Sequence, residues 1–366
     1  MFYKKIIRPI LFLIDPEKIH NFTFWLLTIF NRNKFLNKIL FKICNYTSPR
    51  LKQKIFNLYF RNPIGLTAGL DKKAKLPLVW GAFNFAWTQI GSITHQAQPG
   101  NPKPRLWRLP EDNGLIVYHG LSNPGAKKIA AKLKKDQKRF PKIGLWSISI
   151  AKTNTASMTE ARDDYAASFK ILEPYAEIIT INLSCPNVTD FCGLQKTELL
   201  EPILAKITKI NINHKPLWLK IGNDLSKMEL DDVIRLVKKY KIDAIVATNL
   251  SKKRDHLDLK SRHADKAGGV SGRSISQKAN EIISYLYKNS ENLYKIIGVG
   301  GVFSGVDAYD KIKAGAHLVQ IGTGFVYGGP LSVKKINKEL DQLLIKDNLQ
   351  HISQAVGQEA ANYHLK

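Results

Sequence analysis

The residues best suited to chemistry gather around Cys185, in the stretch Ile181-Asn-Leu-Ser-Cys-Pro-Asn-Val188. A cysteine behind an apolar run is ordinarily a small buried hydrophobe. This one follows "EIIT" and opens into a loop crowded with Asn, Asp and Pro, so it reads as a thiol at the end of a buried strand. A thiol titrates near about 8.5 in water, close enough to neutrality for a general base, although desolvation would raise that value. Lys72, in "AGLDK", lies in a loop after the first apolar run and by itself points to no one role. Lys220 lies inside the apolar "LWLKIG", where an ammonium is costly unless it meets an anion. A structural ion pair is the plainer alternative for Lys220.

These groups are far apart in sequence and need a scaffold that brings strand ends together. Short apolar runs recur at residues 62–69, 87–93, 142–150, 177–184, 217–222, 243–249, 295–301 and 318–324. Amphipathic stretches lie between them, at 159–174, 194–211, 226–240, 274–289 and 304–314. Strands alternating with helices imply parallel β/α units, and eight such units predict an α/β fold of the closed (β/α)8 TIM-barrel type. An open doubly wound sheet would carry a GxGxxG turn after its first strand, and "GLTAGLDK" is not one. A barrel sends Ala68-Gly69, Ser92, Ser149, Asn182, Lys220, Thr248, Gly301 and Gly322-Thr323 to one rim, where active sites sit. The last two strands end in "GVGG" and "GTG", whose backbone N–H groups can approach a phosphate. An anionic reduced flavin would also answer Lys220.

The chain has 366 residues and is 44 % hydrophobic, enough for one large domain and a small extra element. The boundaries expected are an N-terminal helical element over 1–50, the barrel over 51–345, and a tail over 346–366 without readable chemistry. Three cysteines give no disulfide framework. No Cys/His cluster has metal-ligand spacing, so no metal is expected and redox chemistry would fall to an organic cofactor. The net charge of +26, from 56 Lys+Arg against 30 Asp+Glu, suggests anionic partners. The densest basic run, 127–142, has Ile129, Ala130 and Leu133 at helical spacing, which reads as the solvated face of a helix. No nucleic-acid motif accompanies it, so nucleic acid is not an expected partner. Near the N-terminus, Ile10–Ile14 and Phe22–Phe30 are apolar bursts flanked by Lys and Arg. Neither approaches the roughly 20 residues that span a bilayer. They fit helices lying in a membrane interface, or helices that simply pack on the main domain.

Taken together, "DPEKIHNFTF", "NPIGLTAGLDK", "IGSIT…QPGNPKPRLWRL", "INLSCPN", "LKIGNDL", "VATN", "GGVSGR", "IIGVGG" and "LVQIGTGF" resemble dihydroorotate dehydrogenase in the right order, from the first helix to about residue 345. The N-terminal "DPE…H…TF" resembles the membrane-associated, quinone-using branch. The resemblance implies FMN as cofactor and oxidation of dihydroorotate to orotate, with loss of a proton from C5 to a base and a hydride from C6 to the flavin. A membrane quinone would then take the electrons, on a peripheral, monomeric protein at the cytoplasmic face of the cell membrane. By motif match Cys185 takes the base position, and Lys72, Asn123, Asn182, Asn187 and Asn249 hold the substrate. Ala68, Gly69, Ser92, Ser149, Asn182, Lys220, Thr248, Gly272, Gly301, Gly322 and Thr323 line the flavin. His20 and Arg105 match positions near the quinone path, where a structural salt bridge is the alternative for Arg105.

The sequence also departs from the family. The quinone branch typically has Ser as base, and Cys is typical of the soluble branches. Where the family reads "INRMGFNN", this chain has "IVYHGLSN": Val117 replaces a substrate-binding Asn, and Asn123 survives from the closing pair. Ser149 replaces another Asn, and Gly322 a common Tyr. Tyr118, His119 or Ser122 are candidates to compensate, with an ordinary loop histidine the plainer reading of His119. These changes keep open an FMN enzyme for another dihydropyrimidine or cyclic imide, and a flavin-binding membrane-associated protein with decayed catalysis. A flavin-free phosphosugar isomerase is the more distant reading. Cys192 is read as incidental.

Overall fold

Alternation along each strand decides what faces the barrel axis, and the runs read from the sequence obey it. The computed structural model describes residues 3–184 and 197–365. In chain order the strands are β1 (Gln53–Ile55), β2 (Leu58–Phe60), β3 (Ile64–Leu66), β4 (Trp87–Ile93), β5 (Leu106–Leu109), β6 (Gly114–Val117), β7 (Leu145–Ile150), β8 (Ile178–Asn182), β9 (Leu217–Lys220), β10 (Ala244–Ala247), β11 (Gly269–Gly272), β12 (Lys295–Val299) and β13 (Leu318–Ile321). The order β3-β4-β7-β8-β9-β10-β12-β13 closes into a parallel barrel, with β13 returning to β3 through Val319 opposite Ile64. Each of the eight apolar runs therefore holds one barrel strand.

Inside the barrel the side chains form layers. Trp87, Ile178, Trp218, Ala244, Ile297 and Leu318 make an apolar floor with Phe60 of the β1–β2 hairpin below. The Trp87 and Trp218 rings meet edge to face at 6.0 Å. A Cβ at residue 65 would come within 2.1 Å of the Trp87 ring, so Gly65 is the residue that admits this indole. One step up each strand the interior becomes polar. Gln89 donates to the Thr180 hydroxyl at 2.5 Å and to Ser147 at 3.3 Å, and Gln320 donates to Gln89 at 3.2 Å. The intervening residues, Ile90, Ile148, Ile179, Leu219, Ile245 and Val319, face outward into the layer packed against the helices. Among those helices, Lys227–Lys239 opens on a capping box made by Ser226 and Glu229. The basic run is the helix Ala126–Gln137, which buries Ile129, Ala130 and Leu133 as its spacing predicts.

Further features lie outside the β/α rhythm. Strands β5, β6 and β11 form a separate antiparallel sheet in the order β11-β6-β5. The C-terminal tail packs on the barrel, burying Ile352, Ala355 and Ala360. It is held by Lys313 to Glu359 at 2.6 Å and by the Ser284 hydroxyl donating to the Ala360 carbonyl at 2.7 Å.

The N-terminal helices α1 (Arg8–Phe12), α2 (Pro16–Arg32) and α3 (Lys34–Cys44) lean on the barrel. Asp15 caps α2 by accepting from the Lys18 amide, with Pro16 in the first turn, and Asn33 caps α3 by accepting from Phe35 and Leu36. Docking relies on a few anchors. Phe24 packs on Trp80 at 5.8 Å, Asn31 accepts from the Leu78 amide at 2.9 Å, and Asn37 donates to the Leu78 carbonyl at 3.1 Å. No helix among the described residues is long and apolar enough to cross a membrane.

Candidate active site

A single cavity of about 460 Å³ opens at the C-terminal ends of the barrel strands and runs out beneath the N-terminal helices. Its barrel end is lined by Thr67, Ala68, Gly69 and Lys72 after β3, Ser92 of β4, Asn182 of β8, Lys220 of β9, Thr248-Asn249 after β10, Gly300-Gly301 after β12 and Gly322-Thr323 after β13. Gly272 of β11 and Leu115, Val117 and His119 from β6 onward close one side. Leu11, Phe12, Ile19, His20, Thr23, Phe24 and Leu27 make an apolar chamber at the far end.

The polar groups at the rim are held by one another and by their strands. The Tyr165 hydroxyl donates to the Asn182 carbonyl at 2.6 Å. The Asn182 amide donates to the Ser92 hydroxyl at 2.8 Å, and that hydroxyl lies 2.8 Å from Ser149 Oγ. Asn249 donates to the Ser184 carbonyl at 2.6 Å and stands 3.5 Å from Asn182 Oδ1. The rim thus presents paired amides fixed in orientation, the arrangement that reads a planar ring with carbonyl and N–H edges. Two buried oxygens, Asn223 Oδ1 and Gln320 Oε1, have no partner among the described residues.

The loop that offers Lys72 is shaped by its neighbour. Asp71 is fully buried and accepts from the Lys75 and Leu76 amides and the Trp80 indole. That turn aims Lys72 into the cavity, with Nζ donating to the Gly69 carbonyl at 2.8 Å. Burial lowers the Lys72 pKa to about 8, with Asp71 opposing the shift. Lys220 is 4 % exposed, and its ammonium donates to the Thr67 hydroxyl at 3.3 Å. It shares the inner face of β9 with Trp218, while Leu217 and Leu219 point outward, so strand period alone carries this charge inside.

Two imidazoles border the same space. His20, on α2, stacks against Phe24 at 4.1 Å, and burial followed by the charge of Lys72 lowers its pKa to about 3. His119 is lowered to about 2 by burial, then by Lys72 and Arg105. Both rings are neutral at physiological pH.

The structure gathers most of the residues singled out in the sequence. Ala68, Gly69, Lys72, Ser92, Asn182, Lys220, Thr248, Asn249, Gly272, Gly301, Gly322, Thr323 and His20 all line this one cavity. Ser149 stands behind Ser92, fully buried and outside the lining. The Asn123 side chain is taken up by its own loop: it donates to Thr94 Oγ1 and the Leu121 carbonyl and accepts from the Gly125 amide. Arg105 is drawn away from the cavity by Glu17 of α2, at 2.9 Å, and by the Pro99 and Asn101 carbonyls, both at 3.1 Å. This is the salt-bridge alternative, and it ties α2 to the barrel. Arg108 reaches the cavity instead, lying over the Phe12 ring at 4.6 Å and donating to the Ile14 carbonyl at 2.6 Å. Arg108 was not singled out in the sequence, because its direction depends on the register of β5. Cys185, Asn187 and Cys192 lie outside the described residues.

A closed parallel barrel that gathers amides, lysines and glycines at its C-terminal rim, beside an apolar chamber, places its cavity where barrel enzymes carry their active sites. The dihydroorotate dehydrogenase family model matches residues 50–344, and the chain belongs to that family. Relatives named dihydroorotate dehydrogenase (quinone) include one from Nostoc punctiforme, 35 % identical and covering 98 % of both chains. Another, from Thermus thermophilus, is 37 % identical and covers 89 % of this chain and 92 % of its own. A crystal structure of DHODH from Eimeria tenella in complex with ferulenol has a TM-score of 0.84 at 27 % identity, covering 94 % of this chain and 96 % of that one.

Proposed function

We propose that this chain oxidises dihydroorotate to orotate in pyrimidine biosynthesis with FMN as cofactor, and delivers the electrons to a membrane quinone. The observation that carries this reading is the continuous cavity, polar and glycine-rich at the barrel rim and apolar beneath α1 and α2. The rim fits FMN in its chemistry. Lys220 offers a buried cation to an anionic ring, and Gly301, Gly322 and Thr323 offer backbone and hydroxyl donors to a phosphate. Ala68, Gly69, Ser92, Thr248 and Gly272 complete that wall. When bound, FMN supplies a two-electron acceptor that side chains alone cannot provide.

The chain's own residues do the rest. Asn182 and Asn249, with Asn187, hold the pyrimidine edges, and Lys72 answers the carboxylate. Cys185 takes the proton from C5 as general base. His20 and Arg108 supply the polar groups of the quinone end.

The outer faces of α2 and α3 fit peripheral binding at the cytoplasmic face of the membrane. Phe22, Trp25, Leu26 and Ile29 form one exposed row at helical spacing, and Phe35, Ile39 and Ile43 form another.

The test is anaerobic mixing of the purified protein with dihydroorotate while the visible absorbance of the flavin is followed. Rapid bleaching is expected, with recovery on adding a quinone. A second reading, another dihydropyrimidine or cyclic imide as substrate, is favoured by Val117, which lines the cavity where the family carries an amide. A yellow protein that dihydroorotate does not bleach would select it. A colourless protein would remove both.

A further inference from the structure

Val117 leaves the cavity wall short of a hydrogen-bonding group, and the same wall holds another one two residues on. Extended backbone places alternate side chains on one side. Leu115, Val117 and His119 accordingly all face the cavity, while Ile116 packs in the small apolar cluster behind the sheet. His119 is therefore the polar end of a row that is otherwise apolar. It is 8 % exposed, and its Nδ1 is buried with no hydrogen-bond partner among the described residues. A polar atom so placed is costly unless a ligand completes it.

Its position points to the substrate end of the cavity. His119 lines the cavity two residues past Val117, the position at which the family carries a substrate-binding amide, and Lys72, the group that answers a carboxylate, lines the same cavity. The helical end of the cavity has its own imidazole, His20, seated against Phe24 on α2. An imidazole can donate or accept according to tautomer, so it matches either the carbonyl or the N–H of a cyclic imide.

We propose that His119 hydrogen-bonds the polar edge of the bound dihydropyrimidine ring, making the contact that Val117 cannot make. The inference rests on the dihydroorotate reading above and adds to it a specificity-determining residue.

The experiment titrates orotate into the full-length, FMN-loaded protein and reads the flavin spectrum for Kd, alongside KM for dihydroorotate and for a quinone. His119→Ala should raise the orotate Kd about tenfold, the effect of one lost hydrogen bond. The dihydroorotate KM should rise in step while the quinone KM stays unchanged. His119→Phe keeps the ring volume and removes both nitrogens, so it should show the same loss if the alanine variant folds poorly. Val117→Asn placed in the His119→Ala background should recover much of the affinity. If wild type binds orotate and both single variants bind it equally well, the inference falls and the function stands. A rise confined to the quinone KM also overturns it. If wild type gives no response to orotate, the dihydroorotate reading falls and takes the inference with it.

Discussion

The barrel and the N-terminal helices differ in how they divide apolar and polar residues between inside and outside. In the barrel, outward-facing Ile and Leu meet the helical layer and polar side chains are confined to a hydrogen-bonded interior above an aromatic floor. In α2 and α3 the buried positions include Asn31 and Asn37, which clasp the Leu78 backbone, while Trp25, Phe35 and other large apolar residues face outward. The barrel thus completes its own core, and the helical element completes its apolar surface only against something outside the chain. The two share one cavity but should fail independently.

The sharpest way to separate them is Cys185→Ala. Loss of a general base typically removes about 10²- to 10⁴-fold of rate. Anaerobic flavin reduction by dihydroorotate should therefore nearly vanish, while FMN stays bound and chemically reduced enzyme is still reoxidised by quinone. Unimpaired reduction would place the base elsewhere.

Phe24→Ala attacks the other region. Phe24 is 5 % exposed and joins Trp80 to His20, and truncating a buried Phe costs about 3–5 kcal/mol in a well-packed core. That loss should fall on the docking of α2 rather than on the barrel. Limited proteolysis near the N-terminus should speed up and quinone-linked turnover should drop several-fold, with anaerobic reduction by dihydroorotate unchanged. A matching loss in flavin reduction would mean that the two regions are one cooperative unit.

The same contrast explains what the sequence could disclose. Barrel strands were legible because each alternates between two buried faces and recurs at a regular interval, so Lys220 could be placed in a strand interior from "LWLKIG" alone. Strands β5, β6 and β11 were not, since each is four residues long and β6 finds β11 about 150 positions away. With them went the side chains they aim. Arg108 reaches the cavity only because β5 pairs in register with β6, and His119 only because the chain leaving β6 at Val117 keeps to the same wall. Asn123 shows the converse. The motif match gave it a substrate contact, and in this structure its amide makes the hydrogen bonds of its own turn.

Charge offers a finer test, because Lys72 and the histidines titrate in different ranges. Lys72 is half-buried and its pKa is lowered to about 8, against roughly 10.4 for a lysine in the unfolded chain. Below pH 8 it is charged in both states, and the burial penalty is fully present. Between pH 8 and about 10.4 the unfolded chain holds the extra proton, so this residue's contribution makes stability rise with pH. Anion binding depends on the same proton in the opposite sense. The orotate Kd should be flat below about pH 7 and climb toward tenfold per pH unit above pH 8, and Lys72→Met should abolish that slope.

His20 should contribute no such slope. With its pKa lowered to about 3 by burial and by Lys72, its ring stays neutral throughout the range, about pH 5 to 8, in which a free imidazole changes charge. The quinone KM should therefore be level across that range in wild type, because the quinone end meets one protonation state. His20→Ala should shift that level without introducing a titration. A step near pH 6.5 in wild type that His20→Ala removes would show that α2 leaves the barrel often enough for water to reach the ring. The helical element would then be a mobile cover on the cavity rather than a fixed wall.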